Sequence, residues 1–322
     1  MRKLLVKSKN EEISLPKIIL GSTHFGTGID EKTSYSLMDA YAELGGTCID
    51  TASVYGDWDD SGTPVSEQVI GKWLKKSEYR NQMKIITKGA HHRLKTPHIS
   101  RVSASCIADD IEKSLNSLQV EAIDVYFLHR DNVNVPVSEI MPVLHKYVAA
   151  GSLKAIGASN WSMERILEAN AYARHNNLTP FAISEIQWSL AESNPADNGA
   201  EDLAHMTGTE YKKYLKAGIP VIAWSSQAKG IISRVMKSGW DSVNEKARNK
   251  YYNEVTERRI ENVRAVCEQS GISPTQAALG YIICNSLPAA AIIGPSTVEH
   301  LRDSLTAADL DLSADTVAQL VQ

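Results

Sequence analysis

The sequence predicts an α/β protein of the (β/α)8 TIM barrel class, with an extra helix inserted between strands 7 and 8. Two observations predict it: eight short segments rich in Val, Ile and aromatic residues, and amphipathic helical patterns between them. Apolar strands without alternation are typical of a parallel sheet covered on both faces, and eight such units close naturally into a barrel. The predicted strands are Lys17 to Gly21, Gly46 to Asp50, Met83 to Lys88, Ile123 to His129, Leu153 to Gly157, Phe181 to Gln187, Ile219 to Trp224, and Ala289 to Gly294.

The segments between the strands carry helix signals. Ile107, Ile111 and Leu115 recur every four residues, which places them on one face of a helix. A later helix is predicted to begin after Ser273, because Ser273 and Gln276 have the spacing of a capping box. Strands and helices therefore alternate along the chain.

The strand spacing locates the insertion. Most strands begin roughly 30 to 40 residues after the previous one, about the length of one strand and helix unit. The stretch from Ile219 to Ala290 is nearly twice as long, with room for a loop around Ser238 to Asn253 and two helices. No linker marks a second domain, so residues 1–322 are expected to form one domain. A doubly wound open sheet is the alternative fold, disfavoured because no Gly-x-Gly-x-x-Gly motif follows the first strand.

Composition and charge limit the possible partners. The chain has 322 residues, of which 43% are hydrophobic and 22% charged, so it can bury a large core. Its formal net charge of −4 at pH 7 gives no broad positive surface for nucleic acid or an anionic membrane. No apolar run approaches the roughly 20 residues that span a bilayer, and the N-terminus lacks the apolar core of a secretory signal. We therefore expect a cytoplasmic monomer or small homo-oligomer that binds a small molecule.

The cysteines and histidines do not indicate a metal site. The four cysteines, which share no C-x-x-C spacing, are Cys48, Cys106, Cys267 and Cys284. Their apolar or helical contexts indicate buried, reduced thiols rather than zinc ligands or disulfides. His91, His92 and His98 lack paired carboxylates, so they are interpreted as part of a surface loop.

Four polar residues at or just beyond the ends of three predicted strands can form one proton-relay site. They are Asp50, Tyr55, Lys88 and His129. The carboxyl ends of barrel strands meet at one rim, where the active sites of such barrels lie. A neighbouring ammonium favours the anion of a phenol, so Lys88 is expected to lower the pKa of Tyr55 toward the working range. Asp50 would keep Lys88 protonated, and His129 would donate to a carbonyl oxygen as it gains negative charge.

Several segments together resemble the aldo-keto reductase family, and they run in family order along almost the whole chain. They are GGTCIDTASVYG from Gly45, KIITKG from Lys84, IDVYFLHR from Ile123, GASNW from Gly157, EIQW from Glu185 and IIGPSTVEHL from Ile292. The resemblance implies a (β/α)8 barrel that interconverts an aldehyde or ketone and its alcohol by hydride transfer with a nicotinamide cofactor. It also implies that Tyr55 is the general acid, that Lys88 and Asp50 are its charged partners, and that His129 lies beside the carbonyl.

The resemblance further implies a set of cofactor contacts. Ser159, Asn160 and Gln187 match the contacts of the nicotinamide carboxamide, and Trp224 matches the aromatic ring that stacks on the nicotinamide. The other matching positions are Thr23, Ser225, Gln227, Lys229, Gly294, Ser296, Thr297, His300, Asp303 and Ser304. NADP(H) is the expected cofactor, and NAD(H) is the alternative because His300 stands where Arg is usual beside the 2′-phosphate.

Aromatic and polar residues at the same rim are expected to line the substrate pocket. They are His24, Phe25, Trp58 and Trp161, joined by Trp188 and the loop from Ala191 to His205. Aromatic platforms mixed with polar groups suit a sugar or another small polar carbonyl compound.

Two other functions remain open at this point. A lysine at the end of a barrel strand serves a Schiff-base lyase as the amine nucleophile if its pKa is depressed, and Lys88 is so placed. The nearby Asp50 argues against it, because a carboxylate raises the pKa of a lysine. The second alternative is a regulatory subunit that binds the cofactor to sense redox state with little turnover, which the complete set of four catalytic residues disfavours.

Overall fold

A computed structural model of the protein describes residues 1–194 and 203–322. Its barrel strands are β3 (Ile18–Gly21), β4 (Cys48–Asp50), β5 (Lys84–Gly89), β6 (Ile123–Leu128), β7 (Leu153–Ser159), β8 (Ile183–Gln187), β9 (Val221–Trp224) and β10 (Ala289–Ile293). They pair in parallel and close in the order β10-β3-β4-β5-β6-β7-β8-β9. The predicted fold class is confirmed, and each of the eight predicted strands is present.

A hairpin that the sequence does not predict precedes the barrel. β1 (Lys3–Lys7) pairs antiparallel with β2 (Glu12–Pro16). Leu4 and Val6 alternate with exposed neighbours and pack with barrel residues such as Phe127 in one apolar cluster. The hairpin therefore covers the barrel interior at the end opposite the predicted site. Such a short pair is hard to predict because it is stable only against a surface that the sequence does not reveal.

Helices surround the barrel and bury the outward side chains of its strands. Outside the segment between β9 and β10 they are α1 (Glu31–Glu43), α2 (Val65–Lys76), α3 (Ala104–Leu118), α4 (Val137–Ala149), α5 (Met163–His175), α6 (Gly208–Ala217), α11 (Val298–Leu305) and α12 (Ala314–Gln319). Ile107 and Ile111 of the predicted stripe on α3 are fully buried in the main core. Within residues 1–194 and 203–322, no helix is long and apolar enough to cross a membrane.

The insertion between β9 and β10 is confirmed and is larger than predicted. It contains four helices, α7 (Ile231–Ser238), α8 (Glu245–Tyr251), α9 (Glu254–Ser270) and α10 (Pro274–Ile283). α8 lies in the stretch that the sequence predicts as a loop, because a helix of about two turns has too few residues to show a periodic pattern. Asn244 caps the start of α8 and Asn253 the start of α9.

Candidate active site

The barrel brings two carboxyl groups to one ammonium group. Lys88 on β5 donates to both carboxylate oxygens of Asp50, each at 2.7 Å, and to the Thr51 carbonyl oxygen at 3.0 Å. Its Nζ atom also lies 3.3 Å from Glu185 Oε1 on β8. Lys88 is 0% exposed, and Asp50 and Glu185 are each 2% exposed. The predicted pair of Lys88 and Asp50 is therefore in contact, and Glu185 joins it.

The protonation of this cluster follows from burial and opposite charge. Burial by itself lowers the pKa of Lys88, but the carboxyl groups of Asp50 and Glu185 outweigh it and raise the pKa. Burial raises the pKa of Glu185 to about 8 even with Lys88 beside it. Burial also raises the pKa of Asp50, and the Lys88 charge opposes that rise. Because Asp50 makes the closer, two-oxygen contact, we assign the negative charge to Asp50 and a proton to Glu185 at neutral pH.

Tyr55 lies in the loop after β4, with its ring over the ammonium. Lys88 Nζ is 5.2 Å from the ring centroid. The His129 imidazole meets the same ring edge-on, with 5.8 Å between the centroids. The Tyr55 carbonyl oxygen accepts from the Ser66 N–H in the first turn of α2 at 3.1 Å, which ties the loop to that helix. The four residues of the predicted relay thus lie together at the carboxyl rim.

The pKa of Tyr55 shifts in the direction opposite to the one expected from the sequence. Burial raises it above its ordinary value, and this outweighs the lowering by Lys88. The carboxyl groups of Asp50 and Glu185 raise the pKa further, while a hydrogen bond with the Thr23 side chain lowers it. The sequence indicates the Lys88 ammonium and the Asp50 carboxyl group, whereas burial and the second carboxyl group, Glu185, are seen only in the fold. Tyr55 therefore holds its proton at neutral pH.

His129 enters the site as a neutral imidazole. Burial holds its pKa well below the ordinary value, and the charges of His91, Arg130 and Lys88 contribute in the same direction. Its Nδ1 atom is buried, and no described residue hydrogen-bonds to it. Buried polar atoms are nearly always hydrogen-bonded in folded proteins, so this nitrogen indicates a ligand or a water.

His91, His92 and His98 lie in the loop after β5, as predicted, and His91 also borders the site. Its ring centroid lies 4.8 Å from that of His129 and 4.2 Å from that of His92. Both His91 and His92 are half-buried. The sequence indicates the place of this pair at the site only by its position. The pair follows shortly after β5, and the carboxyl end of that strand lies at the rim.

The predicted carboxamide contacts Ser159 and Asn160 are neighbours at the end of β7. Asn160 has a φ of 62°, a left-handed conformation that Asn adopts more readily than most residues. Its side-chain nitrogen donates to Ser159 Oγ at 3.0 Å and to the His129 carbonyl oxygen at 3.3 Å. Its backbone N–H donates to the Glu185 carbonyl oxygen at 3.0 Å. These bonds hold the pair between β6 and β8.

Gln187 and Trp224 end the next two strands, where they are partners in the parallel register. Gln187 is buried, and its Oε1 lies 3.5 Å from Lys250 Nζ of α8. The Trp224 ring is half-buried, with its centroid 6.4 Å from that of His205. Trp224 Nε1 is buried without a hydrogen bond from the described part of the chain. Both predicted positions therefore lie at the rim.

The predicted pyrophosphate loop meets the predicted adenosine segment. Gln227 Nε2 lies 3.4 Å from Ser304 Oγ on α11. Ser225 and Lys229 have positive φ values of 52° and 59°, so the backbone after β9 turns sharply. Lys229 is exposed, and Ser225 is half-buried.

The segment after β10 leads into the first turn of α11. Gly294, Ser296, Thr297 and His300 are all exposed. Thr297 caps the helix by accepting from the His300 N–H at 3.2 Å, and Ser296 Oγ lies 3.4 Å from His300 Nδ1. Asp303 accepts from a threonine hydroxyl of α10 at 2.7 Å. The start of this helix is open for an anion.

The predicted substrate contacts divide into two groups. His24 and Trp58 are exposed, with ring centroids 6.2 Å apart, and Trp58 Nε1 donates to Thr27 Oγ1 at 3.1 Å. Phe25 and Trp161 are buried in the main core at 0% and 1% exposure, so they present no surface to a substrate in this structure. Their place after a strand end is predictable from the sequence, whereas the direction of each side chain depends on the turn.

The remaining predicted substrate contacts give less support to a pocket. Trp188 is buried, and its Nε1 donates to the Tyr281 hydroxyl at 3.2 Å. Of the loop from Ala191 to His205, residues 195–202 lie outside the described residues.

The buried lysine, its two carboxyl groups, the tyrosine and the neutral histidine lie together at the carboxyl rim of the barrel. Barrel enzymes carry their active sites at this rim. The chain belongs to the aldo/keto reductase family, because residues 17–322 match the sequence model of the Aldo/keto reductase family. The match covers nearly the whole chain and confirms the resemblance seen in its motifs. The family assignment makes the protein an oxidoreductase of this type.

Curated relatives agree with this assignment. The chain is 26% identical to an uncharacterized oxidoreductase YrpG of Bacillus subtilis over 96% of its length and 92% of the relative. It is 28% identical to an aryl-alcohol dehydrogenase [NADP(+)] of Phanerodontia chrysosporium, over 90% of its length and 76% of the relative. It is 24% identical to a norsolorinic acid reductase of Aspergillus flavus, over 98% of its length and 79% of the relative.

Proposed function

We propose that the protein interconverts an aldehyde or ketone and its alcohol by hydride transfer with NADP(H) or NAD(H), with Tyr55 as the general acid and base. The observation that carries the proposal is the position of the Tyr55 ring over the Lys88 ammonium, 5.2 Å from its nitrogen, beside a neutral His129. A phenol and an imidazole at one rim provide two hydrogen-bond donors for a single carbonyl oxygen.

The protein's own groups would act as follows in the reducing direction. Tyr55 donates its proton to the carbonyl oxygen as negative charge develops there. The Lys88 ammonium, oriented by Asp50, then stabilises the phenolate that remains. His129 is uncharged, so it stabilises the oxygen through a hydrogen bond rather than a full charge. A nicotinamide bound at the rim would supply the hydride, or accept it in the oxidising direction.

The residues at the rim fit such a cofactor. Ser159 and Asn160 offer a paired hydroxyl and amide to a carboxamide, and Trp224 offers a half-buried ring whose nitrogen has no partner among the described residues. The exposed start of α11 offers backbone N–H groups to a phosphate. NADP(H) is proposed as the first choice, and one relative carries NADP(+) in its name.

The substrate class is proposed in two forms. The exposed pair of His24 and Trp58, an aromatic ring beside a polar one, suits a sugar or another small polar carbonyl compound. The names of two relatives point instead to an aryl alcohol and to norsolorinic acid, which makes an aromatic carbonyl compound the second candidate. A panel of aldoses and aromatic aldehydes separates them, and turnover of aromatic aldehydes alone would exclude the sugar.

The two alternative functions are less well supported. Lys88 is fully buried with two carboxyl groups that raise its pKa, which is the reverse of what an amine nucleophile needs. Borohydride trapping in the presence of a carbonyl substrate would reveal an adduct on Lys88 if the lyase reading were correct. A redox-sensing subunit would bind the cofactor tightly and would turn over no compound in a broad panel of carbonyl compounds and alcohols.

The deciding experiment follows nicotinamide absorbance while purified protein is mixed with NADPH or NADH and a carbonyl panel. Oxidation of the cofactor that depends on both carbonyl compound and enzyme supports the proposal. Titrating each cofactor while following tryptophan fluorescence then measures the preference between the two, with Trp224→Phe as the control for the stacked ring. Failure of both cofactors to bind at millimolar concentration would refute the proposed function.

The cellular setting is proposed on similar grounds. All four cysteines are free thiols, which suits a reducing compartment such as the cytoplasm. A monomer or a small homo-oligomer acting on a small molecule, without nucleic acid, is the proposed working form. Sedimentation velocity of the purified protein measures the oligomeric state directly.

A further inference from the structure

Glu185 is not one of the four residues of the relay, yet its carboxyl group lies inside it. Glu185 Oε1 lies 3.3 Å from Lys88 Nζ, and the residue is 2% exposed. β8 stands opposite β4 in the closed strand order. Asp50 and Glu185 therefore reach the same ammonium from opposite sides of the barrel.

Two carboxyl groups and one ammonium leave an unbalanced charge when all three are ionised. The cluster would then carry one net negative charge in a site that is closed to water, and such buried charges are strongly unfavourable. When two acids share a site, the usual result is that one of them keeps its proton. The raised pKa of Glu185, about 8, agrees with that expectation.

We propose that Glu185 is a further positioning residue of the relay. Together with Asp50 it holds the Lys88 ammonium in place, and the proton on its carboxyl group controls how readily Tyr55 releases the phenol proton. The proposal rests on the function proposed above for Tyr55. With a proton on Glu185, the single charges of Lys88 and Asp50 balance. When that proton leaves, the added negative charge opposes a phenolate, and Tyr55 holds its proton more tightly.

The charged and titratable groups around Glu185 come from two strands and from the segments that follow β4 and β6. Asp50 lies on β4, Lys88 on β5, His129 directly after β6 and Tyr55 in the loop after β4. On the two strands adjacent to β8, the register partners of Glu185 are a serine of β7 and an isoleucine of β9, neither of which titrates near neutrality. His129 is held neutral. Glu185 is therefore the group of this set that changes charge between neutral and mildly alkaline pH.

The coupling favours one direction of the reaction. Oxidation of an alcohol needs Tyr55 as a base, so it is opposed once Glu185 ionises above about pH 8. Reduction needs Tyr55 as an acid, so a proton that is held more tightly keeps Tyr55 in its working form. We expect Glu185→Gln to remove that opposition, so that alcohol oxidation above about pH 8 is faster than in wild type and unchanged below it, with an effect on kcat more than on KM.

The test uses cofactor-free protein, so that it does not depend on turnover. Tyrosine labelled with ¹³C at the carbon that bears the hydroxyl is followed by NMR during a pH titration, and Tyr55→Phe identifies the Tyr55 signal. In the wild-type protein we expect a step in that signal with a midpoint near pH 8, from Glu185, before Tyr55 itself titrates. In Glu185→Gln the step should vanish, and the proton affinity of Tyr55 should fall by about tenfold.

Glu67 supplies a matched control. It is another fully buried carboxyl group with a raised pKa, about 7, and it accepts a hydrogen bond from Thr87 Oγ1 at 2.6 Å. Glu67→Gln makes the same isosteric change outside the relay, and we expect it to leave the proton affinity of Tyr55 within about twofold of wild type.

The outcomes separate this proposal from the proposed function. A Tyr55 titration that Glu185→Gln leaves within about twofold of wild type, or that Glu67→Gln shifts equally, would overturn the role of Glu185. If Glu185→Gln does not fold, the wild-type signal decides alone, since a Tyr55 signal without a step near pH 8 refutes the coupling. A step without turnover of any substrate supports the coupling and counts against the oxidoreductase.

Discussion

Both carboxylate oxygens of Asp50 accept a hydrogen bond from Lys88 Nζ at 2.7 Å at the carboxyl rim of the barrel. These two charge-assisted hydrogen bonds hold the ammonium against the carboxylate and favour its charged form. They also disfavour Lys88 as a free amine nucleophile, because an ammonium that is buried and paired does not lose its proton near neutral pH.

The first prediction concerns the redundancy of the two carboxyl groups. Asp50→Asn should fold, because Glu185 can give up its proton and balance Lys88, at a cost of about 1–3 kcal/mol in the free energy of unfolding. Asp50→Asn combined with Glu185→Gln leaves a buried ammonium without a counter-charge, and its cost should exceed the sum of the single changes. Urea denaturation of the three variants measures this difference.

A triple variant controls for that first prediction. Adding Lys88→Met to the double variant removes the unpaired charge and should restore much of the stability. Additive losses in the double variant, or no recovery in the triple variant, would show that Asp50 and Glu185 do not share Lys88.

The second prediction concerns the role of Tyr55. Tyr55→Phe keeps the ring over the Lys88 ammonium and removes only the hydroxyl, so turnover should fall by about 10²–10⁴-fold. The dissociation constant for the cofactor should stay within about twofold, because the hydroxyl is proposed to act on the substrate. Steady-state kinetics and fluorescence titration give the two numbers. Loss of cofactor binding with unchanged chemistry would assign Tyr55 a different role.

Much of this site is predictable from strand ends alone. Asp50, Lys88 and His129 each end or follow an apolar segment, and parallel strands that close into a barrel bring such ends together. Glu185 carries no such signal, because a single acid within a buried strand, one residue from Ile186, does not reveal which charge faces it. The direction of the Tyr55 pKa shift cannot be predicted from the sequence for the same reason, since burial and a second carboxyl group are properties of the folded chain.

The direction in which a side chain points is also not predictable from its place after a strand end. Phe25 and Trp161 follow strand ends as the exposed residues His24 and Trp58 do, but they turn into the core. The short helix α8 and the hairpin of β1 and β2 are likewise set by the surfaces on which they pack, which periodicity over a few residues does not describe.

The third prediction concerns stability and pH at Glu67. Its pKa is about 7 in the folded protein against an ordinary value of 4.5, so the folded state binds the extra proton between these values. The stabilising contribution is therefore full below pH 4.5 and is lost as the pH rises through about 7. Glu67→Gln cannot titrate, so the free energy of unfolding of wild type relative to this variant should fall by about 1–3 kcal/mol over that range.

The difference between the two proteins is the quantity to measure. Burial also holds the pKa of His129 low, which stabilises the folded state above the ordinary pKa of histidine and is lost as the pH falls, opposite in sign to Glu67. Because His129 is present in both proteins, its contribution cancels in the difference. Urea unfolding at several pH values gives the curve, and a flat difference would mean that Glu67 is ionised in the folded state.

The fourth prediction concerns cofactor preference at the start of α11. His300 is exposed in the first turn of that helix, beside Ser296, in the segment proposed to hold the adenosine half of the cofactor. His300→Arg adds a fixed positive charge that can bind a phosphate with two hydrogen bonds. The affinity for NADPH should rise by about tenfold, while that for NADH should stay within about twofold.

Arg302→Gln, on the exposed surface of the same helix, tests whether the existing arginine already binds the phosphate. If His300→Arg changes both affinities equally, the 2′-phosphate does not bind at this turn, and fluorescence titration of the two cofactors with each variant distinguishes these results.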